Sequence, residues 1–449
     1  MTQYMSAIKT DGSTKRVRDL LFVIGSTFVA VFVAIYLILS YQDNLYSGIS
    51  IKYLLHTLAA TTIIFGGIIV GISGFYILLI LLSEDKNILG KSTLSKFNIN
   101  KNIEFECKCV ESDLEKNISR FSSAIEHLGH EQIETRLGAI YALEKITQDS
   151  DDDTWTILET LAAFIRENAP IIELDEVIEE FSFSSIPTDI QAALTVIGRI
   201  NLETNLENHR IDLRNTDLRG ADLTEASLQY IDFTGANLQG VMFYGANLSG
   251  AHLTAANLSE AVLYETNLQE VSLYEANLTG AIARKANLQQ AILHKANLEK
   301  ALLYEANLQD ATLYEANLQE AMLYEANLRE ANLEDTNLYR ANLIGANLRS
   351  CKLIGAYLEG TILSTADITE ANLFEANLLE ANFCEANLSY ANLVGTNLKK
   401  AKLDEANLSG TDLTRAENIE QAQIESAFGN SDTILPEYLE RPNWEEKNE

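Results

Sequence analysis

Between Ile211 and Arg415 the apolar and polar positions recur on a step of five residues. A large apolar residue, nearly always Leu, stands at 213, 218, 223 and every fifth position to 413, and this residue is the centre of each step. Ala, sometimes Thr, Val or Cys, lies two positions before it, and Asn or Asp is common one position before it. On an α-helix a step of five advances about 140° net, which would spread the centres over every face. On a flat strand an odd step sends successive centres to opposite sides. Both elements are excluded. If the chain instead turns a corner after each short extended segment, the centre and the residue two before it point inward every time, and the chain winds into a coil.

Runs such as ADLTE, ANLQD and ANLRE resemble the pentapeptide-repeat family. The resemblance implies a right-handed quadrilateral β-helix, with four segments in a coil of about twenty residues and coils stacked at about 4.8 Å. A span of 201–416 then makes about ten coils and a rod of about 50 Å. Leu at the centre removes apolar surface from water at roughly 1.5 to 3 kcal/mol each before entropy, and Ala two residues earlier leaves room for the facing leucines. Phe233, Phe243 and Phe383 are larger inward groups, and Ala283 is an undersized centre.

The chain before the repeats changes character twice. Residues 20–40 and 53–82 are uncharged apolar runs long enough to cross a bilayer, and they predict a two-helix transmembrane hairpin. Basic residues at Lys9, Lys15, Arg16 and Arg18 and again at Lys86, Lys91 and Lys96, against Lys52 alone in the intervening loop, put both ends in the cytoplasm. Residues 1–19 are thus a cytoplasmic segment, and 83–117 reads as a charged linker. Ser26, Ala30 and Ala34, and Gly67 and Gly71, are spaced for close helix approach. Packing of the two spans on each other is preferred to homo-oligomerisation through them.

From 118 to 200 the apolar spacing becomes helical, with Ile133, Leu137, Ile140, Leu143 and Ile146 on one face. The acidic run 149–153 predicts an N-cap for the helix after it, and Thr188 with Gln191 predicts a capping box after Pro187. Several short amphipathic helices resemble a HEAT-like module, and similar helices precede the array in certain cyanobacterial pentapeptide-repeat proteins. Such a module would either bind a peptide or close the open end of the rod; the second is favoured because solenoids need end caps. Residues 172–185 read as an exposed acidic loop. At the far end Asn418 stands where a centre is due, and 417–449 reads as a C-terminal cap and tail containing a short helix.

Charge and chemistry narrow the function. The net charge of −31 argues against a nucleic-acid partner, which is bound through Lys and Arg, and roughly half of the acidic excess falls on the rod. The 4 cysteines in a chain of 449 residues do not form a disulfide framework, and Cys107 with Cys109 lacks further metal ligands. His127 and His130 lie three apart with no third ligand. No motif of nucleotide binding, metalloprotease or serine-hydrolase chemistry occurs, so neither catalysis nor a cofactor is expected.

Because one side returns every twenty residues, outward side chains sort into rows. Tyr264, Tyr304 and Tyr324 fall on one side with Arg284 between them, and Tyr274, His294 and Tyr314 fall on the opposite side. Each of these tyrosines precedes a glutamate, giving Glu265, Glu305, Glu325, Glu275 and Glu315. Rigid aromatics beside acids suit docking of a protein partner. Duplication of a ten-residue unit with ring-on-ring stacking accounts for the same rows, and it is the preferred account. The sequence thus points to a membrane-anchored, non-enzymatic interaction or scaffold protein. The rivals are a DNA mimic that binds a type II topoisomerase and an accessory or regulatory subunit of a membrane transporter.

Overall fold

The computed structural model describes residues 119–149, 153–171, 186–200 and 210–444. Backbone contacts divide the chain into two units, Met1–Phe105 and Glu106–Glu449, and every described residue belongs to the second. The predicted spans 20–40 and 53–82, the linker 83–117 and the acidic segment 172–185 lie outside the described residues. Among the described residues no helix is long and apolar enough to cross a membrane.

The repeats form a stack of coils. Parallel bridges join each residue before a centre to the one twenty positions on, from Asp212 with Asp232 to Asn397 with Glu417. Four five-residue steps therefore close one coil, and each step is a short extended segment followed by a turn. The four sides of the coil are numbered by their centres: side 1 carries 213, 233 and 253, side 2 carries 218, 238 and 258, side 3 carries 223, 243 and 263, and side 4 carries 228, 248 and 268. Leu213, Leu308 and Leu413 are fully buried, as are the inward alanines between them, for example Ala221, Ala306 and Ala371. Phe233 and Phe243 meet edge to face with ring centroids 6.4 Å apart. Where Thr replaces the inward Ala, its hydroxyl reaches a backbone carbonyl: Thr266 donates to Phe243 O and Thr336 to Leu313 O at 2.7 and 2.8 Å. The Cys351 thiol donates to Leu328 O in the same way, and burial pushes its pKa up to about 12.

The turns hold the one costly feature of the backbone. Every fifth residue from Asn215 to Arg415 has φ between +54° and +71°, and most of these residues are not glycine. A left-handed conformation costs an L-residue roughly 1 to 2 kcal/mol. The cost is offset because that residue's N–H then reaches the next coil, as Glu265 N does to Arg284 O at 3.0 Å. The turn is closed by the next inward N–H on the centre's carbonyl, for example Ala306 N to Leu303 O at 3.1 Å, which with positive φ at the third residue is a type II geometry. Glycine is required where a ring lies over the turn: a Cβ on Gly250 would stand 2.6 Å from the Tyr230 ring, and one on Gly410 would stand 2.6 Å from that of Tyr390.

Sides 2 and 4 add side-chain ladders. On side 2 most Asn amides donate to the Asn one coil earlier, as Asn257 does to Asn237 and Asn317 to Asn297, at 3.0 and 2.9 Å, while Asn297 donates to Thr279 Oγ1. The same Asn oxygen accepts the N–H two residues on, for example Gln319 N to Asn317 Oδ1 at 3.2 Å. Side 4 repeats the device from Asn247 to Asn347.

Both ends of the stack are closed. Among the described residues four helices precede it: α1 (119–128), α2 (Ile133–Asp149), α3 (Thr154–Asn168) and α4 (Thr188–Arg199). Ile140, Leu143, Ile157, Leu161, Ile165 and Leu194 make their shared core, and Arg136 reaches the buried Asp189 at 2.7 Å between α2 and α4. In the first coil, N–H groups that would bond to a preceding coil go to the helices instead. Asp217 N donates to Ala169 O, Asp222 N to Gln191 Oε1 and Ser227 N to Gly198 O, at 2.8, 2.9 and 2.7 Å.

Two capping expectations fail here. Gln191 does not box with Thr188, since its amide also donates to Asp222 O at 2.7 Å and the residue before α4 is Pro187 with no side-chain cap. The backbone of the first coil is an open edge, and satisfying it outweighs one local cap. Asp153 precedes α3 and likewise gives no side-chain cap.

At the other end Asn418 turns outward with φ +58°, and Ile419 takes the interior. Helix α5 (Gln421–Ser426) comes next, with a capping box between Glu420 and Gln423. Gln423 donates to Leu398 O and Ala401 O, Phe428 N to Ala406 O, and Ile434 N to Thr411 O, so carbonyls of the last coil are covered. Trp444 is buried on Ala427 with its indole N–H on that carbonyl at 3.2 Å, and the Tyr438 hydroxyl donates to Ala416 O at 2.9 Å.

Candidate functional site

The two tyrosine rows sit on opposite sides of the coil, at the corner position just after each centre. On side 1, Tyr274, His294 and Tyr314 form one continuous stack, with ring centroids 5.2 and 5.0 Å apart. On side 3 the row begins one coil earlier than the sequence predicts: Tyr244 stacks on Tyr264 at 5.4 Å with the rings 4° from parallel. Arg284 then interrupts, and its guanidinium lies 3.3 Å from Glu305. Among the described residues no ring contact joins Tyr304 to Tyr324. Side 1 is therefore a packed ladder and side 3 a broken one.

The glutamates that come after the tyrosines occupy the left-handed turn position and are exposed. Three of them take a phenol hydrogen bond: Glu275 from Tyr274, Glu315 from Tyr314 and Glu325 from Tyr324, which raises each of these tyrosines above the ordinary phenol range. Glu315 is in turn held below the usual carboxylate range by the Tyr314 hydroxyl and by Lys295, which is 3.5 Å away. Lys285 lies 3.7 Å from Glu305 and Lys300 lies 4.0 Å from Glu320. Bases thus pair with acids one coil further on and break the acidic rows into short pieces.

Side 3 carries a second row that the sequence pattern alone does not single out. One position before each centre stand Met242, Val262, Ile282, Leu302 and Met322, bridged in series from coil to coil. They share the outer surface with the tyrosines two residues later, and Met242 and Ile282 are 41% and 38% exposed. Reading every twentieth residue at this position would have revealed it. The opposite side is mixed at the same position, with His252, Ser272, Ile292 and Thr312.

Among the described residues no three His, Cys, Asp or Glu side chains come together to hold a metal ion. His130 accepts the Gln132 N–H at 3.1 Å in the turn before α2. Cys384 faces outward near Asp404, and Cys351 is buried.

The family model of pentapeptide repeats matches between residues 209 and 427. The chain belongs to the pentapeptide-repeat family. It is similar to HetL, a pentapeptide-repeat protein involved in heterocyst differentiation regulation from the cyanobacterium Nostoc sp. strain PCC 7120, at 34% identity over 49% of this chain and 92% of that one, with a TM-score of 0.26. Rfr23 from the cyanobacterium Cyanothece 51142 is similar at 28% identity over 30% of this chain and 63% of its own, with a TM-score of 0.18. QnrB1, a plasmid-mediated fluoroquinolone resistance protein, is similar at 15% identity over 46% and 91%, with a TM-score of 0.20. No curated protein matches the chain.

The difference between the two tyrosine rows is measurable. His294→Ala removes two stacking contacts and should lower stability by roughly 0.5 to 1.5 kcal/mol more than Tyr304→Ala does. Equal thermal unfolding of the two variants would show that the side 1 stack contributes nothing to the coil.

Proposed function

We propose that this pentapeptide-repeat chain is a non-enzymatic interaction protein that presents a rigid rod to a protein partner. The observation that carries the reading is the unequal treatment of the two aromatic rows. Side 1 uses its rings on one another, whereas side 3 holds Tyr304 and Tyr324 half-exposed to exposed without a ring neighbour. Aromatic side chains fixed on a rigid frame lose little entropy on binding and are the usual anchors of protein interfaces. The helices 118–200, HEAT-like in pattern, serve in this reading to close the first coil.

The predicted spans 20–40 and 53–82 would anchor the rod to a membrane with both chain ends in the cytoplasm. A DNA mimic fits less well, because a mimic needs acids at phosphate-like spacing. Here Lys285, Lys295 and Lys300 interrupt them within ion-pair reach of Glu305, Glu315 and Glu320.

Two experiments test the reading. Capture of the intact chain from native membranes should recover a partner that Tyr304→Ala with Tyr324→Ala loses and that His294→Ala keeps; retention by the tyrosine pair would remove side 3 as the docking surface. Protease added outside intact cells should leave the repeats whole, and their digestion from that side would refute the cytoplasmic placement.

A further inference from the structure

The apolar row on side 3 is not demanded by the fold. On sides 2 and 4 the same position is mostly Asn, which bonds to the coil before it and accepts the N–H two residues on. Met242, Val262, Ile282, Leu302 and Met322 give up both bonds, and among the described residues the N–H groups of Tyr264, Arg284, Tyr304 and Tyr324 have no acceptor. These five side chains succeed one another at one coil each, about 4.8 Å apart, so the row is about 20 Å long. With the tyrosines beside it, it makes an apolar and aromatic strip two side chains wide, whereas the opposite side sets Ile292 between Ser272 and Thr312.

The corners on either side of the strip say what would cover it. Glu260 and Glu320 line one corner, and Glu265, Glu305 and Glu325 line the other. The bases nearby are already engaged: Arg284 and Lys285 with Glu305, and Lys300 with Glu299 and Glu320. Glu260, Glu265 and Glu325 have no basic partner among the described residues. A second copy laid face to face on this strip, in either direction, would set glutamate rows against glutamate rows. An anionic lipid surface would be repelled for the same reason.

We propose that side 3, from Met242 to Met322, docks an amphipathic α-helix of a partner protein whose apolar stripe is flanked by Lys or Arg. The inference rests on the interaction function proposed for the rod and specifies the partner's chemistry. A helix laid along the rod rises 5.4 Å per turn, close to one coil, so about four turns, or roughly 14 residues, place one apolar side chain on each rung. One side of the coil is only about 10 Å wide, which puts the contact in the small, transient class with a Kd in the micromolar range.

The test uses the full-length chain and a fluorescein-labelled 14-residue helix-forming peptide with leucines at helical spacing flanked by lysines. A second peptide carries glutamates in place of the lysines. The variants are Ile282→Asn with Leu302→Asn, which install the residue that sides 2 and 4 already carry, and Ile292→Asn on the opposite side as control. Fluorescence anisotropy should give micromolar binding of the basic peptide, a loss of more than tenfold in the Ile282→Asn, Leu302→Asn protein with its melting temperature retained, and no change in Ile292→Asn. Equal binding of the two peptides, or undiminished binding by the double variant, would overturn the proposal. So would a dimer by sedimentation velocity that the double variant dissolves, since the occupant would then be a second copy. If neither peptide binds at about 100 µM while partner capture still depends on Tyr304 and Tyr324, the helix proposal fails and the docking function survives.

Discussion

Every five-residue step must dispose of its backbone N–H groups, and the rest of the structure depends on where they go. The centre's N–H and that of the turn residue go to the next coil, as Leu303 N does to Met322 O and Glu305 N to Tyr324 O. The N–H before the centre returns to the previous coil, as Leu302 N does to Ala281 O, and the first N–H of the next step closes the turn, as Ala306 N does to Leu303 O. Four of five are thereby satisfied by backbone alone, and leaving a buried one unpaired would cost about 1 to 3 kcal/mol. The fifth, just after the centre, is left to the side chain two residues earlier. Asn or Asp accepts it where present, as on most rungs of sides 2 and 4; at Tyr264, Arg284, Tyr304 and Tyr324 no protein group among the described residues does.

Some of this was legible in the sequence. The five-residue step, with Leu at the centre and Ala two before it, is a statement about which atoms leave water, and burial writes itself plainly into composition. Tyr230 with Gly250 and Tyr390 with Gly410 are also readable once the return distance is known, since a ring over a turn excludes a Cβ there. The left-handed turns were not legible: glutamate at 265, 305 or 325 carries no signal of positive φ, and only the coil's hydrogen bonds impose it. Thr188 and Gln191 had a capping spacing, but the open edge at Asp222 claimed the glutamine. At Asn418 a one-residue slip moved the interior to Ile419, a shift that local pattern does not specify.

The candidate surface was half legible for a related reason. Tyrosines at 264, 304 and 324 stand out against the polar consensus and sort to one side. The row at 242, 262, 282, 302 and 322 lies next to an apolar centre, where an extra apolar residue blends into the expected core. Its outward direction comes from strand alternation, and its meaning only from comparison with the asparagine at the same position on sides 2 and 4. Rigidity connects the two: bridges on every coil hold the rungs at one spacing, so an outward row repeats at fixed intervals and suits a partner of similar repeat.

Amide hydrogen exchange resolved to single residues tests this hydrogen-bond scheme most directly. Slow exchange should recur with a five-residue period from 213 to 413. The amides of Ser259, Thr279 and Gln319, which an asparagine accepts at 3.1 to 3.2 Å, should exchange more slowly than those of Tyr264, Arg284, Tyr304 and Tyr324. Protection with no five-residue period, or equal exchange in those two groups of amides, would contradict it.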